Sequence, residues 1–205
     1  MTNPLLLIGS GNRDKAAELR HLLVGLPWEV MSLADYPPAE EPEEDQDTFE
    51  GNALLKARYY GSSFGVACVA DDSGLEVDAL GGAPGIHSAR YAGPGCSYDD
   101  NNRKLLGALA AVSDDQRIAR FVCCAAFIGL DGTEHVERGT IKGRIAASAR
   151  GANGFGYDPL FIPDGMSLTF GELDPDSKHS VSHRGRAFRQ LRRYLESLVA
   201  HGYAS

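Results

Sequence analysis

The chain has 205 residues, 43% of them hydrophobic and 23% charged, and this composition predicts a single globular domain over residues 1–205. Its 28 acidic residues outnumber its 20 basic ones, which argues against nucleic acid as a partner. No apolar run is long enough for a signal-peptide core or a membrane span, so we expect a cytoplasmic protein that does not bind membranes. The cysteines form no C-x-x-C pair and are predicted to be buried, reduced thiols: Cys68, Cys96, Cys123 and Cys124.

The first third of the chain alternates between strand and helix patterns. Residues 5–9 form a short apolar run, Asn12 is a good helix N-cap, and leucines at helical spacing follow it. Residues 28–33 predict a second strand. After an acidic loop at 37–47, Asp47 and the glutamate three residues later predict a capping pair for a second helix. The buried face of that helix is predicted from Phe49, Ala53, Leu54, Ala57 and Tyr60.

The rest of the chain adds strands, a hairpin and two more helices. Asp71-Asp72-Ser73-Gly74 predicts a turn between two strands, and Asp131-Gly132 predicts a hairpin. A last helix is predicted between Ser182 and Gly202. The remaining elements are strands at 66–70, 75–80, 120–130 and 133–145, a glycine-rich loop at 81–95, and a helix marked by Leu105, Leu106, Leu109 and Val112. Together these elements predict an α/β fold around a mixed sheet.

Ser10-Gly11-Asn12-Arg13-Asp14-Lys15 joins the first strand to the first helix. A helix N-terminus offers free amides and the positive end of a dipole, which suits phosphate. Lys15 opposes that dipole unless an anion is nearby. Residues 9–14 also begin a dinucleotide-binding pattern, but Asp14 replaces its third glycine, which argues against an oxidoreductase. An ordinary strand-to-helix turn with a surface lysine is the alternative.

Two acidic segments are candidates for a Mg²⁺ site. Glu43-Glu44-Asp45 lies in the acidic loop, and Asp71-Asp72-Ser73 follows a predicted strand. Carboxylates from two such segments hold Mg²⁺ while leaving room for phosphate and water, and one of them can deprotonate the attacking water. The alternatives are turn chemistry and a solvated acidic run.

Two later segments carry groups suited to recognising a base. Residues 151–158 are rich in glycine and contain Phe155, which can stack on a base, and Asp158, which can accept hydrogen bonds from ring N–H groups. Lys178 and Ser182-His183-Arg184 offer donors for a purine O6 or for phosphate. The alternatives are a flexible loop and a capped helix with surface cations.

Five segments, in their order and spacing, resemble the inosine triphosphate pyrophosphatase family, the non-standard purine nucleoside triphosphate pyrophosphatases. The resemblance covers nearly the whole chain. The matching segments are SGNRDK (10–15), EEDQDTFEGNALLKA (43–57), ADDSGLEVDALGGAPGIHSARY (70–91), GANGFGYDPLF (151–161) and SKHSVSHRGRA (177–187).

The resemblance implies an elongated α/β fold, with a mixed sheet flanked by helices and two lobes around a central nucleotide cleft. It also implies a homodimer that uses Mg²⁺ to cleave XTP, ITP and dITP to the monophosphate and pyrophosphate, which cleanses the nucleotide pool. Asp72 would be the catalytic base and a metal ligand, and Glu43 the second metal ligand, with Glu44 as the alternative. The implied substrate-binding residues are Ser10, Gly11, Asn12, Arg13, Asp14, Lys15, Ser73, Phe155, Gly156, Tyr157, Asp158, Lys178, His183 and Arg184.

The chain departs from the family at two positions, with Ser10 where the family usually has Thr and Gly51 where it usually has Glu. Selectivity follows from the base edge, because hypoxanthine and xanthine present an acceptor at O6 and a donor at N1, whereas adenine reverses this edge. A donor such as Arg184 and an acceptor such as Asp158 would then leave buried groups unpaired against adenine. An inert nucleotide-binding module and a pyrophosphatase for modified pyrimidine nucleotides are the alternative functions.

Overall fold

A computed structural model describes residues 3–203 of the chain. Within that range the strands form a six-stranded sheet in the order β2-β1-β3-β4-β5-β6. The sheet is mixed, as predicted, because β1 runs parallel to β2 and β3 whereas β5 and β6 are antiparallel. The strands are β1 Leu5–Ile8, β2 Glu29–Ser32, β3 Ala67–Val77, β4 Ile118–Ile128, β5 Glu134–Ile145 and β6 Phe161–Pro163. The helices are α1 Arg13–Leu22, α2 Phe49–Phe64, α3 Tyr98–Ala108, α4 Pro175–Val181 and α5 His183–Ala200.

The described residues divide into two compact units. The first contains the chain up to Asp72, residues 123–139 and the chain from Arg184 onward. The second contains residues 73–122 and 140–183. The chain therefore crosses from one unit to the other inside β3, β4 and β5, and after the first residue of α5.

Each unit has its own apolar core. In the first unit, buried side chains of β1, α1, β3, β4 and α5 pack together around Leu6, Leu19, Phe127 and Phe188. In the second unit, β3, α3, β4, β5 and the segment around β6 pack around Leu75, Leu105, Phe121 and Phe161. Burial of this apolar surface is the main favourable term in the stability of both units.

The predicted start of α1 is confirmed and that of α2 is wrong. Asn12 Oδ1 accepts the backbone N–H groups of Asp14 and Lys15 at 3.0 and 3.1 Å. The N-cap of α2 is Thr48 rather than Asp47, since its Oγ1 accepts the Gly51 N–H at 2.9 Å. Threonine and aspartate both cap helices, so the spacing of polar residues alone did not separate adjacent candidates.

The predicted turn at 71–74 is also wrong, because β3 continues through it to Val77. The side chains of Asp71 and Asp72 are bound by cations and an amide, as described below, rather than by backbone amides of a turn. After β3, residues 78–80 and 85–90 form short 3-10 helices, the second inside the predicted loop. The hairpin between β4 and β5 is confirmed. The Gly129 N–H donates to the Thr133 carbonyl and closes its loop.

Two elements were not predicted, β6 and α4. β6 has three residues and α4 has seven, so neither is long enough to show a clear hydrophobic period. Ser182, the predicted cap of the last helix, lies between α4 and α5.

Three of the four cysteines are buried as predicted, whereas Cys96 is only partly buried, and all four are free thiols. Among the helices formed by residues 3–203, none has both the length and the apolar character needed to cross a membrane.

Candidate active site

Asp72 lies in β3, in the first unit, with 4% of its surface exposed. Its Oδ1 accepts from Lys56 Nζ at 3.4 Å, and its Oδ2 accepts from Asn52 Nδ2 at 3.3 Å. Both donors project from α2, one helical turn apart. The carboxylate is thus held by one cation and one neutral amide in a nearly dry environment.

Lys56 also connects Asp72 to the acidic loop. Its Nζ donates to Glu44 Oε1 at 2.8 Å, and only 11% of the lysine side chain is exposed. Burial lowers the pKa of Lys56, but the carboxylates of Asp72, Glu44 and Asp71 outweigh this effect and raise it. Lys56 is therefore a fixed positive charge between two carboxylates.

The structure distinguishes the two glutamates considered for the metal. Glu44, the alternative, shares Lys56 with Asp72, whereas Glu43, the residue first assigned, is exposed. Glu44 and Asp72 therefore converge on Lys56.

The pKa of Asp72 is raised above 3.8. Burial is the largest cause and outweighs the attraction of Lys56 and Lys15, which lowers the pKa, while Glu44 and Asp71 add smaller repulsions that raise it. A carboxylate with a raised pKa is a stronger base than an exposed aspartate once it is ionised.

Asp71, the neighbouring carboxylate, has different partners. Its Oδ2 lies 3.2 Å from Arg184 Nε and 3.7 Å from Lys15 Nζ, and its side chain is fully buried. Arg184 in turn donates through Nη1 to Glu18 Oε2 at 2.5 Å. Burial disfavours the charged form of Arg184, yet Asp71 and Glu18 together raise its pKa. In this structure the predicted base donor Arg184 is held by two carboxylates of the first unit.

The predicted phosphate segment forms the turn before α1. Ser10 is half-buried, whereas Gly11, Arg13 and Asp14 are exposed. Asn12 occupies the amides of Asp14 and Lys15, so the predicted amide donors of the first turn have an internal acceptor in this structure. Lys15 lies in the first turn with its amine beside Asp71. A cation at the positive end of a helix dipole is thus offset by a buried carboxylate.

The second unit holds the predicted base-recognition residues. Lys178 Nζ donates to Asp158 Oδ2 at 2.6 Å, and about 4% of each side chain is exposed. The same oxygen accepts the Phe155 N–H at 2.8 Å, which closes a tight turn over 155–158. The Lys178 amine lies 4.9 Å from the centre of the Phe155 ring. Three of the predicted residues are therefore brought together.

Gly156, Tyr157 and His183 have packing roles in the second unit. Tyr157 is buried in the core and donates its hydroxyl to the Ser88 carbonyl at 2.9 Å. His183 stacks on Phe121 with ring centres 4.5 Å apart. The Gly156 carbonyl accepts from Asn102 Nδ2 at 3.0 Å. Ser73, half-buried, follows Asp72 along β3 as the first residue of the second unit.

Three residues of the site had been given no role from the sequence: Glu18, Asn52 and Lys56. A signal existed for the last two, because both lie on the face of α2 that the apolar pattern predicted to be buried. A lysine or asparagine on such a face needs a buried partner. Glu18 carried no comparable signal.

Comparison with known proteins identifies the family of this chain. The model of the Ham1 family matches residues 6–194. A protein of Exiguobacterium sp. named dITP/XTP pyrophosphatase is 50% identical over 186 residues, which cover 91% of this chain and 94% of that protein. The solved structure of the Staphylococcus aureus Ham1 protein matches with a TM-score of 0.84 at 38% identity, covering 94% of this chain and 98% of that one.

A second solved structure, a nucleoside-triphosphatase and dITP/XTP pyrophosphatase of Mycobacterium abscessus, is 47% identical with a TM-score of 0.74. It covers 91% of this chain and 98% of its own length. Both the sequence matches and the structural matches therefore extend over almost the whole chain, which belongs to the Ham1 family.

Proposed function

We propose that this protein hydrolyses the triphosphates of deaminated purines, XTP, ITP and dITP, to the monophosphate and pyrophosphate. The observation that carries the proposal is the arrangement of Asp72 and Glu44 around one buried lysine, in a chain whose relatives are named dITP/XTP pyrophosphatases. Removal of such triphosphates would keep deaminated bases out of the nucleotide pool.

The charges around Asp72 support a role for Mg²⁺. Asp71 lies against Arg184 and Lys15, whereas Asp72 and Glu44 both bind Lys56. The oxygens of these two carboxylates converge on one point and are the ligand type that Mg²⁺ prefers. We assign Glu44 and Asp72 as the residues that would hold the metal. When bound, the ion would neutralise negative charge on the triphosphate.

Asp72 is the residue best suited to orient and deprotonate the attacking water. Lys56 donates to one oxygen of its carboxylate and Asn52 to the other, so the group is held in one orientation. Its raised pKa makes it a stronger base than a free aspartate. Lys56 and Lys15 supply positive charge in the same unit, which would offset negative charge on the departing pyrophosphate.

Recognition of the base is assigned to the second unit. Asp158 and Lys178 form a buried pair of an acceptor and a donor beside the Phe155 ring. The acceptor of such a pair matches the N1–H of hypoxanthine or xanthine, and the donor matches O6. Adenine has an acceptor at N1 and a donor at its 6-amino group, so both buried groups would be left unpaired. This assignment uses Lys178 rather than Arg184 as the donor to the base, since Lys178 lies beside the Phe155 ring whereas Arg184 binds Asp71 and Glu18.

We further propose a cytoplasmic homodimer without a nucleic-acid or membrane partner. The net charge of −8 supports the absence of a polyanionic partner. Sedimentation at micromolar concentration tests the dimer.

The experiment that tests the function is release of pyrophosphate from XTP, ITP, dITP, GTP, ATP and dUTP, with Mg²⁺ and with a chelator. We expect Mg²⁺-dependent release from the first three, with the monophosphate as the other product. Preferred cleavage of dUTP would support the pyrimidine alternative. A folded protein that binds ITP but releases nothing would be an inert nucleotide-binding module.

A further inference from the structure

Helix α2 carries two buried polar side chains one turn apart, and both connect the acidic loop to Asp72. Lys56 joins the carboxylates of Glu44 and Asp72, as described above. Asn52 has the second connection. Its Nδ2 donates to Asp72 Oδ2 at 3.3 Å, and its Oδ1 accepts the backbone N–H of Gln46 at 3.1 Å.

The amide of Asn52 is fixed in one orientation by these two partners. The Gln46 N–H requires an acceptor, and the Asp72 carboxylate requires a donor. Rotation of the amide by half a turn would place its oxygen against the carboxylate and its NH₂ group against the N–H. Asn52 is completely buried, so water does not compensate for either lost bond.

Gly51 permits the close approach of the loop to α2. A Cβ atom at this position would lie 2.8 Å from Gln46 Cβ and 3.1 Å from Thr48 Oγ1. Real Cβ atoms do not make contacts as short as the first, so any larger residue would displace the loop at Gln46. The glycine that departs from the usual family residue is therefore part of the same arrangement as Asn52.

We propose that Asn52 is a positioning residue that ties the acidic loop to Asp72, and that Gly51 makes this tie possible. The tie fixes Gln46, two residues after Glu44. It therefore holds Glu44 beside Asp72 while Mg²⁺ and the nucleotide bind and leave. The tie itself stands on the contacts alone, whereas its consequences for Mg²⁺ and turnover rest on the proposed function.

Two variants break the tie in different ways. Asn52→Leu keeps the approximate size but neither donates nor accepts, whereas Gly51→Ala leaves Asn52 in place and pushes Gln46 away. In both we expect faster hydrogen exchange at the Gln46 amide, measured without metal or nucleotide. We also expect the half-saturating Mg²⁺ concentration for ITP turnover to rise about 10-fold or more, the usual effect of losing an outer-sphere partner of a metal ligand. The KM for ITP at saturating Mg²⁺ should change little.

Two further variants serve as controls. Gly107→Ala adds the same methyl group to α3 in open space, so exchange at Gln46 and the Mg²⁺ requirement should match wild type. Asn52→Asp keeps the acceptor for the Gln46 N–H but places a second buried carboxyl group against Asp72 in place of the amide donor. It should therefore keep the protection of Gln46 while turnover falls.

The proposal is overturned if folded Asn52→Leu and Gly51→Ala proteins both show wild-type exchange at Gln46 and a wild-type Mg²⁺ requirement. Should Asn52→Leu fail to fold, Gly51→Ala decides alone. A wild-type enzyme that releases no pyrophosphate would refute the proposed function, and the exchange data would still decide whether the tie exists.

Discussion

Arg184 Nε lies 3.2 Å from Asp71 Oδ2, and both side chains are almost fully buried. Two adjacent aspartates of β3 thus have separate partners in the first unit. Asp71 lies against Arg184 and Lys15, while Asp72 binds Lys56 and the Asn52 amide. Burial raises the pKa of Asp72 despite the attraction of Lys56 and Lys15, which suits this carboxylate to act as a base.

Replacing Asp71 by Asn should strongly destabilise the protein. The change would remove the Asp71 carboxylate from buried Arg184 and from Lys15. Breaking a buried ion pair from one side costs about 3–5 kcal/mol, so urea unfolding should show a loss of that order. The control is Glu134→Gln, which removes an exposed pair with Arg58 and should change stability far less. Equal losses in the two variants would contradict a structural role for Asp71.

Replacing Asp72 by Asn should nearly abolish turnover without destabilising the metal-free protein. Because the folded pKa of Asp72 is raised above 3.8, its stabilising contribution is present below pH 3.8 and is lost as pH rises through the folded value. At neutral pH the ionised side chain therefore opposes folding, and the neutral amide relieves this cost. Urea unfolding with a chelator, beside the pyrophosphate assay, measures both effects. Full activity in the Asp72→Asn variant would show that Asp72 is not the catalytic base.

The sequence predicted the longer elements of the fold. α1, α2 and α5 have a hydrophobic period, β4 and β5 are long β-prone runs joined by a hairpin signal, and all five are present. The turn predicted at 71–74 failed for a physical reason. Asp-Asp-Ser-Gly is good turn chemistry locally, but the buried ion pairs of Asp71 and the contacts of Asp72 favour an extended strand, and these partners lie far away in the chain.

The sequence identified some residues of the candidate site but not their pairings. Family motifs identified Asp72, Lys15 and Asp158 as candidates. The sequence did not show that Lys178, rather than Arg184, would form an ion pair with Asp158, because both are cations near the start of the last helix. It likewise could not choose Glu44 over Glu43, since that choice depends on which glutamate reaches Lys56.

Replacing Asp158 by Asn should weaken discrimination between ITP and ATP. The amide would offer Lys178 a weaker partner and would present a donor where hypoxanthine also has one. We expect the ratio of kcat/KM for ITP to that for ATP to fall by about 10-fold or more. Tyr157→Phe is the matched control, because it removes only a buried bond to the Ser88 carbonyl and should leave the ratio unchanged. An unchanged ratio in Asp158→Asn would exclude this carboxylate from base selection.

Among the four thiols, Cys96 should be the one that reacts in the native protein. It is partly exposed, whereas Cys68, Cys123 and Cys124 are buried, and burial raises the pKa of Cys124 to about 11. The thiolate is the reactive form, so at pH 7.5 almost no Cys124 is ionised. Iodoacetamide labelling followed by peptide mass spectrometry should modify Cys96 first and the others only in urea. Cys96→Ser should abolish labelling of the native protein, and rapid modification of Cys124 in that variant would contradict the buried position of β4.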